Sequence, residues 1–133
     1  MSCILNVAEL NALELSPGAV CVIGGTFDPF HAGHLSIIRL LSPLFTRLIV
    51  APTDQNPWKQ SPAATFQQRI EMIELILGEE KIPLLPLNDR HAAGVRILRE
   101  PYTYVDDCLA RLRAELEVDV FWAIGADSAD SVP

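Results

Sequence analysis

The sequence predicts an α/β fold in which a parallel sheet is covered by helices. Short apolar runs alternate with segments whose apolar residues recur at helical spacing. The run Leu48-Ile49-Val50 is apolar without alternation, as expected of a strand buried on both faces. Strands that alternate with helices pair in parallel through right-handed crossovers.

Taken in order, residues 19–23 form the first strand. Leu35, Ile38, Leu41 and Phe45 predict a helix over about 33–41, ended by Pro43. Residues 47–51 are a second strand, and 52–60 a polar loop. Ser61 and Pro62 suit the N-cap and first turn of the next helix. Phe66, Ile70, Ile73 and Leu77 are its stripe, and Gly78 closes it. Residues 82–87 read as a short third strand interrupted by prolines. A charged loop follows over 88–100, with a brief extra strand at 95–98. Thr103 and Asp106 resemble a capping arrangement for a helix lined by Val105, Leu109, Leu112 and Leu116, with Cys108 beside them. Residues 118–124 are a strong last strand, and a loop or helix starts at Gly125. Residues 19–133 read as one domain and residues 1–18 as an N-terminal extension. Its leucines 5, 10, 13 and 15 suggest a short packed segment on an edge or a face of the fold.

Composition limits the function. Half of the 133 residues are hydrophobic, enough for a single core, yet no apolar run reaches the length of a membrane span. The acidic Glu9 and Glu14 near the start make a poor signal peptide. The three cysteines, Cys3, Cys21 and Cys108, are scattered, which fits reduced thiols in a cytoplasmic protein. A net charge of −7 argues against a nucleic-acid surface, where affinity comes from phosphate neutralisation by Lys and Arg. A small phosphorylated substrate needs only a few local cations.

The chemistry concentrates in residues 23–35, Ile-Gly-Gly-Thr-Phe-Asp-Pro-Phe-His-Ala-Gly-His-Leu. A strand runs into Gly24 and Gly25, whose missing Cβ atoms let the backbone turn sharply and approach a ligand. A helix starting near Gly33 aims unpaired N–H groups at an anion. His31 and His34 are spaced i, i+3, so both imidazoles can sit over the first turn. There they can donate to a phosphoryl oxygen where charge builds up. A zinc fragment is the competing reading of His-x-x-His, but zinc needs further ligands and His91 has no motif around it. Asp28 suits a turn better than a general base. Ligands of parallel α/β sheets bind outside the carboxyl ends of the strands, so the loops from Gly24, Pro52 and Gly125 are expected to share one cleft.

These residues resemble the signature of the nucleotidyltransferase superfamily with a Thr/His-x-Gly-His motif, and within it bacterial nicotinate-nucleotide adenylyltransferase. Three further stretches carry the narrower likeness. They are residues 52–59 (Pro-Thr-Asp-Gln-Asn-Pro-Trp-Lys), 101–109 (Pro-Tyr-Thr-Tyr-Val-Asp-Asp-Cys-Leu) and 124–128 (Ile-Gly-Ala-Asp-Ser). Pro101 and Asp107 depart from the serine and threonine common in the family. Family chains continue past the Gly-x-Asp-Ser element with a tryptophan and an Ile-Ser-x-Thr-x-x-Arg segment. This chain ends at Pro133 without them, so the likeness covers the family's front part.

The resemblance implies a Rossmann-like three-layer fold lacking the family's C-terminal elements. It implies adenylyl transfer from ATP to nicotinate mononucleotide, with Mg²⁺ held by substrate and water rather than by a protein metal site. His31 and His34 would contact the phosphates, and Gly24, Gly25, Thr26 and Phe27 would cradle the nucleotides. Lys59 would meet a phosphate, or else be a solvated loop lysine. Trp58 would pack over the cleft or anchor its loop. Arg69 would orient a phosphate or carboxylate. Tyr102 and Thr103 would approach the pyridine carboxylate, and Gly125 and Asp127 the ATP ribose. The alternatives are another enzyme of the superfamily, such as pantetheine-phosphate adenylyltransferase, or a nucleotide-binding remnant without activity. Apolar surface where further elements would pack favours homo-oligomers.

Overall fold

The computed structural model describes residues 2–6, 18–54 and 64–124. Five strands and three helices follow one another as β1 (Ser2–Asn6), β2 (Val20–Gly25), α1 (Ala32–Leu41), β3 (Arg47–Pro52), α2 (Phe66–Glu79), β4 (Gly94–Ile97), α3 (Val105–Leu116) and β5 (Val120–Ile124). The strands form one sheet in the order β1-β5-β2-β3-β4, and every pair is parallel. The expected α/β class and parallel sheet are therefore found.

Period-2 alternation divides the core into two layers. Cys21, Ile23, Leu48, Val50, Val95 and Ile97 face Leu35, Ile38 and Leu41 of α1 and Ile70, Ile73 and Leu77 of α2. Val20, Val22, Ile49, Ala51 and Trp122 face Leu109, Leu112 and Leu116 of α3. This gives three layers with helices on both faces of the sheet. The chain leaves β2 toward β3 and β4, and β5 returns to the other flank of β2. The strand order thus reverses between β2 and β5, and ligands of such sheets bind at the carboxyl ends beside a reversal of this kind.

Several expectations need correction. Residues 82–87 make no strand. Prolines 83 and 86 lack N–H groups, and only an isolated bridge forms between Leu84 and Val95. The extra strand is real and runs from Gly94 to Ile97. Helix α2 starts after Thr65, not after Ser61. Thr65 Oγ1 accepts from Gln68 N–H at 3.1 Å while Gln68 Oε1 accepts from Thr65 N–H at 2.9 Å, a complete capping box. Ser61 and Pro62 lie outside the described residues. Gly78 does not close α2 but lies inside it. The left-handed turn falls at Lys81, with φ of 57°, and Ile82 N–H returns to Leu77 O. Thr103 does not cap α3, because the N-cap position is Tyr104 and no side chain bonds there. Asp106 and Asp107 instead place negative charge in the first turn. Ser2–Asn6, left between edge and face, takes the edge beside β5.

One packing contact fixes the exit of β2. A Cβ on Gly24 would fall 2.0 Å from Cζ2 of Trp122, whose indole is buried against the strand. Glycine is thus required here by the indole. Replacing Gly24 with alanine is expected to cost about 1–3 kcal/mol, the range for overpacking a core. Urea denaturation checks this. Adding Trp122→Leu should recover part of the loss, and two costs that simply add would separate the positions.

Candidate functional site

The site is built where β2 and β3 end. Their ladder runs through Gly25 and Pro52 and is carried one step on by Thr53 N–H to Gly25 O at 2.9 Å. From Thr26 the chain turns through Phe27, a non-glycine residue at φ of 54°, to reach α1 at Ala32. Phe27 and Phe30 are both buried, and their rings lie 5.6 Å apart. They fix a wall against which His34 rests, edge-on to Phe27 at 4.8 Å and stacked on Phe30 at 5.1 Å.

His31 is the N-cap of α1, and the two histidines cap the helix reciprocally. His31 Nδ1 accepts from Gly33 N–H at 3.0 Å. His34 Nδ1 accepts from His31 N–H, also at 3.0 Å. The rings stack with centroids 3.9 Å apart. Gly33 permits this closeness, since a Cβ there would lie 2.8 Å from His31 Cε1. An imidazole that accepts at Nδ1 and is neutral carries its proton on Nε2. For His34, burial and then the nearby His31 lower the pKa from 6.5 to about 4, which keeps the ring neutral. Its Nε2–H is then a donor held ready by the His31 N–H at the N-cap of α1.

The other predicted residues take varied places. The space a Gly24 side chain would fill belongs to Trp122, so this glycine answers to packing. Gly25 lies over Phe27 and is half-buried. Tyr102 is pinned by both ends. Its phenol donates to Ala51 O at 3.1 Å, its carbonyl accepts from Asp54 N–H at 2.8 Å, and its ring meets Trp122 edge-on at 5.4 Å. Burial pushes the phenol far above its ordinary range, with Cys108 adding to the effect and a Gly25 backbone bond opposing it. This tyrosine anchors its segment and leaves Thr103 exposed beside it.

Arg69 is corrected. Its side chain is 1% exposed and donates to four backbone carbonyls, so the guanidinium is no open anion site. Trp58, Lys59, Gly125 and Asp127 lie outside the described residues.

Sequence reasoning missed Trp122 and Thr53. The period-2 pattern of the last strand places Trp122 on the face of Val120 and was the available signal. Thr53 is buried and bridges to Tyr102; it lies in the stretch of residues 52–59, where the proline, tryptophan and lysine draw the eye instead. Two cavities among the described residues lie elsewhere. One, of about 410 Å³, is lined by Leu84–Leu87 and Ile97–Glu100, and the other, of about 240 Å³, by Leu87, Asn88, Arg90, Glu115 and Leu116. We place the site by its donors, because neither cavity touches the histidines.

The chain resembles known proteins over most of its length. A probable nicotinate-nucleotide adenylyltransferase of Pectobacterium atrosepticum is 36% identical over 116 residues, covering 84% of this chain and 51% of the relative. A protein of the same description from Stenotrophomonas maltophilia is 38% identical over 109 residues, covering 79% of this chain and 48% of the relative. The chain thus spans about half the length of the curated relatives it matches. Among solved structures, Plasmodium falciparum nicotinic acid mononucleotide adenylyltransferase complexed with NaAD superposes with a TM-score of 0.62. It shares 18% identity and covers 83% of this chain and 53% of its own, a likeness of fold. The cytidylyltransferase-like family model matches residues 22–132, so this chain belongs to the cytidylyltransferase-like family.

Proposed function

We propose that this chain carries the phosphate-binding side of a nicotinate-nucleotide adenylyltransferase, working in the cytoplasm, where Cys21 and Cys108 stay reduced. The observation that carries the reading is the pair of histidines capping α1, with both Nδ1 atoms engaged by backbone amides. The curated relatives supply the choice of nucleotides.

In the reaction, a phosphate oxygen of nicotinate mononucleotide attacks the α-phosphorus of ATP. The bond to pyrophosphate breaks, and nicotinate adenine dinucleotide forms without a covalent enzyme intermediate. Rate then comes from positioning and from donors aimed at the developing charge. His34 Nε2–H is such a donor, held by Phe27, Phe30 and the amide of His31. His31 stands beside it as a second. Thr26 and the backbone around it border the same crevice, and Tyr102 sets the position of Thr103 against the pyridine. Lys59, Trp58, Gly125 and Asp127 keep the roles that the family likeness gives them.

Mg²⁺ fits this site only as a companion of ATP. Among the described residues no three His, Cys, Asp or Glu side chains converge on a point. The phosphates and water would hold the ion, and it would neutralise their charge there. None of the described helices is long and apolar enough to cross a membrane.

The nucleotides test the proposal. The chain is expected to bind MgATP and nicotinate mononucleotide in calorimetric titrations, with pantetheine phosphate as a control acceptor. Binding of neither nucleotide would remove the proposal. Where product forms, His34→Ala should lower the rate about a hundredfold, the scale of one lost preorganised donor. An unchanged rate takes His34 out of the mechanism.

The burial of His34 beside His31 also has a pH signature. An unfolded histidine binds its proton near 6.5, whereas folded His34 does so only at about 4. In between, the unfolded chain binds a proton that the folded chain refuses, so stability rises with pH. The contribution of His34 is complete above about 6.5 and is lost as pH falls toward 4. Urea midpoints should therefore drop more steeply with acidification in the parent chain than in His34→Phe. An NMR titration in which the His34 ring proton moves with an ordinary histidine midpoint would refute the buried, neutral ring.

A further inference from the structure

We propose that Arg69 is the positioning residue of the nucleotide site, acting through the backbone of the loops that leave β2 and β3. The proposal rests on reading the crevice as a nucleotide site.

Local chemistry does not favour an arginine at this position. Arg69 lies in the first turn of α2, where the helix dipole repels a cation, and its side chain is buried next to Ile70. Burial lowers its pKa, while Asp28 and Asp54 pull the other way. A buried charge needs compensation, and here it comes from carbonyls. Nη1 donates to Thr26 O at 2.8 Å and to Thr53 O at 2.7 Å. Nη2 donates to Asp54 O and Nε to Ala64 O, each at 3.3 Å. Phe66 lies under the guanidinium at 5.6 Å.

One nitrogen therefore joins the exits of two neighbouring strands. Thr26 leads to His31 and His34, and Thr53 and Asp54 are the described residues that follow β3. The hydroxyls of Thr26 and Thr53 are buried without hydrogen-bond partners, so these side chains do not tie the loops together. The guanidinium does, and it fixes the distance between the turn that leads to the histidines and the exit of β3 at Thr53 and Asp54. It also turns the negative ends of three carbonyls at the strand exits toward a cation. Left free there, those carbonyls would repel phosphates. Only a planar fork with donors in several directions meets all four acceptors, so a lysine of the same charge cannot substitute.

The test uses Arg69→Lys and Arg69→Met in the whole chain, with MgATP titration under conditions where both variants are folded by circular dichroism. Both should lose affinity about tenfold or more, the scale of one charge-assisted hydrogen bond. Amide exchange supplies the readout that a purely structural role would not produce. The Thr53 and Asp54 amides, bonded to Gly25 O and Tyr102 O, should exchange faster while Val22 and Ile49 stay protected. Full MgATP affinity in Arg69→Lys, or faster exchange spread evenly over the sheet, would overturn the proposal while leaving the nucleotide reading intact. A parent chain that binds no MgATP overturns both. If one variant does not fold, the other decides by the same two measurements.

Discussion

All five strands point the same way, and the site depends on that constraint. In a parallel sheet every strand exit lies on one edge, so segments far apart in sequence are delivered to the same place. Here the edge receives the turn after β2, the loop after β3 and the segment before α3. The strand order reverses beside β2, the place where parallel α/β sheets bind their ligands. Fold and site are thus linked by direction alone, before any side chain is considered.

Much of this was legible from periodicity. The helices showed themselves through Leu35, Ile38 and Leu41, through Ile70, Ile73 and Leu77, and through Leu109, Leu112 and Leu116, all of which face the sheet. Boundaries were less legible, because caps compete. Ser61 and Thr65 are both good N-cap residues, and Gln68, placed to return the bond, selects Thr65. The edge strand β1 could not be read locally. Ser-Cys-Ile-Leu-Asn has no alternation, and its place follows from pairing with β5 at the other end of the chain.

The candidate site divides in the same way. The two histidines were legible because their partners are neighbours in sequence, and the i, i+3 spacing already contains the reciprocal cap. Gly24 carries a second constraint that the sequence does not show, because the indole that fills its side-chain space comes from β5. Arg69 was assigned to an anion because composition shows a cation and cannot show carbonyls. In both cases a tertiary partner occupies space or donors that sequence alone leaves available.

The cap on α1 bears on one more property, its behaviour toward transition metals. A histidine binds a metal through a lone pair on one ring nitrogen. In His31 and His34 the Nδ1 lone pair is already directed at a backbone N–H, and in the neutral ring the other nitrogen bears the proton. A zinc ion would have to break a helix cap or strip that proton before it could bind. The His-x-x-His spacing therefore looks like half of a metal site in one dimension and opposes metal in three. Donors built in this way stay donors when loosely held metal is near.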